Sequence, residues 1–161
     1  MLGLVPLLPS GQPVRVLCLG AHCDDIEIGC GATLLALQGA GLALDIDWVV
    51  LSGDVTRRAE TAHAKKLLLP GESRGELLFG DFIDGSMPGQ YLQIKAFFES
   101  LKGRPRPDLV FTHERDDRHQ DHRLVHEMTW NTFRDPLILE YEIPKWDGGL
   151  GQPNLYVSIK R

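Results

Sequence analysis

The chain has 161 residues, of which 43% are apolar and 24% charged, and carries a formal net charge of −5. That length and apolar share suit one domain spanning 1–161 with a full core. The acidic balance leaves no cationic footprint for nucleic acid or an anionic membrane, so the expected partner is a small molecule.

Met1 to Pro9 is apolar but lacks a basic start, is broken by Pro6 and Pro9, and is too short to span a bilayer. A cytoplasmic protein is the expectation. Cys18, Cys23 and Cys30 are odd in number and form no C-x-x-C, which argues against a disulfide framework or a cysteine zinc knuckle.

Val14–Ala21 (VRVLCLGA) is a short apolar run and predicts a buried strand, ending in the polar cluster His22-Cys23-Asp24-Asp25. The second half of IEIGCGATLLALQGAG predicts a helix that stops at Gly39 or Gly41, and Leu42–Leu51 predicts a second strand. Thr56–Leu69 is rich in Ala, Lys, Glu and Leu and predicts a helix ended by Pro70-Gly71. Glu76–Phe79 is a short strand candidate, followed by an Asp84-Gly85 turn and a helix over Gln90–Leu101. Asp108–Thr112 predicts another buried strand, the loop HERDDRHQDH leads into a helix over Leu124–Phe133, and Leu137–Ile143 and Asn154–Ile159 predict late strands. Alternating strands and helices imply a Rossmann-like three-layer α/β sandwich with a mostly parallel sheet. Ligands of such sheets bind beyond the carboxyl ends of the strands. The clusters at 22–25 and 113–122 both follow strands directly, so they are expected to meet at one edge.

His22 and Asp25, three residues apart on a turn, can aim an imidazole and a carboxylate at one point; His119 and His122 share that spacing at a helix start. Two histidines and a carboxylate make a three-ligand site with an open position, as catalytic zinc requires, and water bound there reaches a pKa near 7, an approximate figure. Asp24 can then take a proton from that water, His119 can stabilise an oxyanion or protonate a leaving amine, and Asp121 can orient the His119 ring. On residues alone other readings stand. Asp24-Asp25 also reads as a turn or cap, His126 lies one turn beyond His122 as a competing ligand, His113 reads as a loop hydrogen-bonder, and His63 as solvated. Gly29-Cys30-Gly31 suggests a dinucleotide-binding turn, but Leu34 stands where a third glycine belongs.

The two clusters together resemble the LmbE-like (PIG-L) family of metal-dependent N-deacetylases. The family's AHPDDxE stands here as Ala21-His22-Cys23-Asp24-Asp25-Ile26-Glu27, and its HxDH as His119-Gln120-Asp121-His122. The resemblance covers roughly 14–160. It implies His22, Asp25 and His122 as ligands of zinc (iron(II) being tolerated), Asp24 as general base and His119 as transition-state stabiliser. Arg57-Arg58-Ala59-Glu60 and Phe82-Ile83-Asp84-Gly85 are similar to the family's R-x-x-E and F-x-D-G stretches, which makes Arg57 (or Arg58) and Asp84 candidate substrate contacts. The implied activity is removal of acetate from an N-acetylated amino sugar, with a homo-oligomer expected.

Two departures stand out. Cys23 replaces the usual proline, whose fixed φ would stiffen the turn, and it places a thiol beside a ligand. Family members commonly continue beyond a strand like NLYVSI, so a member short at its C-terminus is expected, with the EIPKWDGGLGQPN stretch forming a loop over the pocket or a subunit contact. The alternatives are a non-catalytic binding module that keeps the pocket without turnover, and a nucleotide-binding domain indifferent to chelators.

Overall fold

Val14–Gly20 alternates its side chains between two buried faces, and this alternation organises the molecule. The computed structural model describes residues 5, 8–9, 11–69, 75–146 and 151–159. Val14, Val16 and Cys18 of this strand, β1, enter one core cluster, while Leu17 and Leu19 enter another across the sheet. The same split occurs in β2 (Leu44–Val50), with Ile46 and Trp48 on the first face and Val49 on the second. In β4 (Leu109–His113), Leu109 and Phe111 oppose Val110. A strand that is apolar on both sides needs cover on both sides, hence three layers.

The first layer holds α1 (Asp25–Gly29), α2 (Gly31–Gly39) and α3 (Val55–Leu68), which bury Ile26, Leu34 and Leu37 against the sheet. The second holds α4 (Tyr91–Leu101) and α5 (Gln120–Thr132), presenting Ile94, Phe98, Leu124, Val125 and Met128 at helical spacing. With β3 (Leu77–Phe79) and β5 (Leu137–Tyr141), the sheet has order β3-β2-β1-β4-β5, and every pairing is parallel. The chain reverses direction across the sheet between β1 and β4, so a crevice opens beyond their carboxyl ends.

The α/β sandwich is as the sequence led us to expect, with local differences. The helix expected over the second half of 26–41 begins earlier, as α2 from Gly31, and a further short helix, α1, precedes it. The helix expected from Leu124 begins at Gln120, because His119 caps it by accepting the Asp121 amide. Gln90 belongs to a 3-10 turn, Met87–Gln90, ahead of α4.

Residues 154–159 form no strand; Leu155, Tyr156 and Ile159 are exposed. An apolar alternation gives propensity, but a strand exists only with a ladder partner, and the described residues supply none there. The helix stop expected at Pro70-Gly71, and 147–150 of the late loop, lie outside the described residues. Trp146 is fully exposed, and no helix among the described residues is long and apolar enough to cross a membrane.

Candidate metal centre

The turn after β1 places the first set of groups. Asp25 opens α1 and folds its carboxylate back so that Oδ2 accepts the His22 amide at 2.7 Å. The second set comes from the start of α5, where His119 is the cap and His122 lies one turn in. Parallel pairing of β1 with β4 brings the two sets together across 100 residues, with His22 Nδ1 and His122 Nε2 3.1 Å apart. Asp25 Oδ1 lies 3.4 Å from His122 Nε2, and Asp25 Oδ2 lies 3.4 Å from His22 Nδ1.

The His22–His122 spacing and that of Asp25 Oδ1 to His122 fit a metal. Donor atoms 2.0–2.1 Å from a tetrahedral zinc stand about 3.3 Å apart. The charges fit as well. Burial alone would raise Asp25, but contacts with His113, His122 and His22 outweigh it and hold the carboxyl well below the usual range. Burial lowers His122 while Asp117 and Asp25 raise it further, to about 9. Asp117 Oδ2 lies 2.8 Å from His122 Nδ1 and accepts the hydrogen bond of that N–H, which leaves Nε2 directed at Asp25 and His22.

Ring planes distinguish the histidines of the cluster. His113, His122 and His119 form a stack, with centroids 3.9 Å and 4.6 Å apart and planes within 14° and 26°. An imidazole lone pair lies in the ring plane, so near-parallel stacked rings project theirs side by side rather than onto one ion. The buried trio Asp25, His113 and His122 is therefore a poorer ligand set than its proximity suggests. The His22 plane is turned 50° to that of His122, and these two nitrogens converge.

The remaining residues fall into place around this centre. Asp24 precedes α1, half-exposed, with its carboxylate 3.0 Å from Arg57 Nη2. Asp84 Oδ1 lies 3.1 Å from His22 Nε2 at the turn where Gly85 adopts a φ of 71°, open to glycine at little steric cost. Arg58 is committed elsewhere. It donates to the Gly53 and Gly80 carbonyls and to Asp81, tying the loop after β2 to the loop after β3. A cavity of about 330 Å³ opens beside the cluster, lined by His22, Cys23, Gly53, Arg57, Phe82 and Asp84.

Asp121 differs from the sequence reading. Its carboxylate does not meet His119; it accepts the Gly85 amide at 2.7 Å and the Met87 amide at 3.1 Å, and lies 3.3 Å from His22 Nε2. The Asp121 backbone amide, rather than its side chain, orients the His119 ring by donating to Nδ1. A residue just inside a helix offers its N–H to the cap, while its side chain turns toward whatever packs on that first turn.

Cys23 also resolves simply. Its thiol donates to the Ser52 carbonyl, away from the metal cluster, under Gly53, where any Cβ would stand 2.3 Å from the sulfur. His126 pairs with Glu140 at 2.9 Å, apart from the cluster, and His63 is exposed on α3.

Two residues without an assigned place in the expected site touch its ligands. Asp117 grips His122 and also receives Lys145 Nζ, so it is held well below the usual carboxylate range despite burial. A signal existed in principle, since Asp117 lies five positions before His122 in a helix-capping loop. His113, fully buried at the end of β4, lies 3.1 Å from Asp25 Oδ2, and burial lowers its pKa to about 4 against the pull of Asp25. Its Nε2 also accepts the Ala21 amide at 3.1 Å.

Known proteins resemble this chain in sequence and in fold. An uncharacterized deacetylase of Escherichia coli (strain K12), YaiS, is 31% identical over 162 aligned positions, covering 90% of this chain and 82% of its own. In fold the chain is similar to N,N'-diacetylchitobiose deacetylase of Pyrococcus horikoshii, with a TM-score of 0.55 at 21% identity over 77% of this chain. It is likewise similar to a conserved protein of Thermus thermophilus, with a TM-score of 0.56 at 25% identity over 80% of this chain. The chain spans 51% of the archaeal protein and 66% of the Thermus one. The sequence profile of GlcNAc-PI de-N-acetylase (PIG-L) matches residues 17–133, from β1 through the end of α5, the stretch that holds both polar clusters. On that match and the identity to the bacterial deacetylase, the chain belongs to the PIG-L family.

Proposed function

We propose that this protein removes the acetyl group from an N-acetylated amino sugar or its conjugate, with zinc held by His22, Asp25 and His122. The observation that carries the reading is the convergence of those three side chains at 3.1–3.4 Å beside a cavity walled by Arg57 and Asp84. Zinc bound there supplies a Lewis acid and brings the pKa of water to about 7; iron(II) suits the same donor types.

Asp24 accepts the proton of the attacking water. To do so it leaves Arg57, and the pair is half-exposed, the kind that contributes little and exchanges readily. His119 accepts the Asp121 amide on Nδ1, so in the neutral ring Nε2 carries the proton. That N–H is suited to hold the oxyanion, while the proton that Asp24 took from the water passes to the leaving nitrogen. Arg57 and Asp84 offer donors and an acceptor to sugar hydroxyls across a cavity at the small end of ligand pockets, about 300–1,000 Å³. The descriptions of the family and of the archaeal relative both name N-acetylated sugars, which supports that class of substrate.

One observation favours a second reading, a binding module: the Asp24 carboxylate is engaged by Arg57 Nη2 at 3.0 Å and must be freed before it can meet the attacking water. Acetate release separates the two. The protein is incubated with N-acetylglucosamine, a β-glycoside of it and its nucleotide diphosphate conjugate, before and after chelation and zinc reconstitution. The deacetylase reading expects acetate from at least one, lost with the chelator and restored by zinc. Saturable binding of these sugars with no acetate contradicts it and establishes the binding module.

A further inference from the structure

We propose that His113 is a positioning residue for the metal centre, fixing both Asp25 and His122, an inference that rests on the metal-dependent reading above. His113 is wholly buried and touches these two ligands at once. Its Nε2 is 3.1 Å from Asp25 Oδ2, and its ring covers one face of His122 at 3.9 Å, nearly parallel at 14°. Its Nδ1 has no hydrogen-bond partner among the described residues although it is buried.

An unpartnered buried nitrogen is a standing cost, and a phenylalanine would keep the stack without it. What phenylalanine lacks is Nε2, which lies 3.1 Å from Asp25 Oδ2 and accepts the Ala21 amide at 3.1 Å, so it ties the Asp25 carboxylate to the backbone at the end of β1.

Oδ2 accepts the His22 amide and rests against the His113 ring nitrogen, and is held in place by the protein. Oδ1, facing His122 Nε2 at 3.4 Å, is the oxygen left for the ion. His113 thus selects one oxygen of Asp25 and, by stacking, the plane in which His122 presents Nε2. The order of the chain explains the economy: His113 ends β4, in register beside β1, whose next residues carry His22 and Asp25.

The test uses two variants that split these contacts. His113→Phe keeps a ring against His122 and removes the Nε2 contact; His113→Gln keeps a polar group near the Nε2 position and removes the ring. Zinc affinity is measured by competition with a chromogenic chelator, and ligand geometry by the visible bands of the cobalt(II)-substituted protein. Loss of such an outer contact weakens a site about 10–100-fold, which is the expectation for His113→Phe, together with altered cobalt bands. His113→Gln should recover zinc binding to within about tenfold of wild type.

Wild-type zinc affinity and unchanged cobalt bands in His113→Phe overturn the inference. So does a His113→Gln protein that binds zinc no better than His113→Phe. If the Phe variant does not fold, His113→Asn, whose shorter amide does not reach Asp25, replaces it with the same expectation. A wild type that binds no zinc overturns the hydrolase reading instead, so the two failures are distinct.

Discussion

Asp24→Asn should lower kcat for acetate release by about 10²–10⁴-fold, the range of general acid–base catalysis, with metal content unchanged. Asn has the shape of Asp but accepts no proton at neutral pH, and Asp24 is not among the three groups whose donor atoms converge. The turn should survive, because Asp24 caps α1 through no side-chain hydrogen bond. Its charged partner among the described residues is the half-exposed Arg57, so stability should change by less than about 1 kcal/mol. Thermal melting, metal analysis and steady-state kinetics on one preparation separate the cases. Metal lost from the variant would make Asp24 a ligand, and an unchanged kcat would remove it from the proton transfer.

Asp121→Ala should be the most destabilising of the site substitutions. The carboxylate is fully buried and receives two backbone amides, Gly85 and Met87, which no longer have that acceptor once it is gone. Each unpaired amide costs about 1–3 kcal/mol, so a loss of about 2–4 kcal/mol is expected, allowing for partial exposure of the Gly85 contact. For a chain of this size that is a fall in Tm of about 5–15 °C. Asp121→Asn, which keeps one carbonyl oxygen, should fall between. Because the freed segment carries Asp84 against His22, substrate KM should also rise in whatever fraction stays folded. A variant that melts like wild type would mean that the 84–87 loop is held by other contacts.

The fold was legible because β1 and β4 are largely apolar on both faces, the pattern of strands covered on both sides in a parallel sheet. The first ligand turn was legible for a local reason: His22 and Asp25 are three residues apart, and a carboxylate at that spacing returns to the amide of the first residue. The positions of Asp117 and His113 were not. The contact of Asp117 with His122 depends on a loop closing back over five residues, and that of His113 with Asp25 on the register of β4 beside β1. Spacing alone put Asp121 beside His119, but the start of a helix separates a residue's amide from its side chain, and the two went to different partners. Arg57 and Arg58 are adjacent and look alike in sequence. One step around α3 makes the first a pocket wall and the second a tie between loops. The apolar run at 154–159 failed as a strand because propensity is local and ladders are not.

Elemental analysis of the purified protein, for wild type and for His122→Ala, tests the central claim most directly. Asp117, Asp25 and the His22 ring all converge on His122, so its loss removes a ligand without unmaking the β1 turn. The expected result is about one zinc or iron per chain in wild type after reconstitution, and less than about a tenth of that in the variant. A wild type that holds no metal, or a variant that holds as much as wild type, would contradict it.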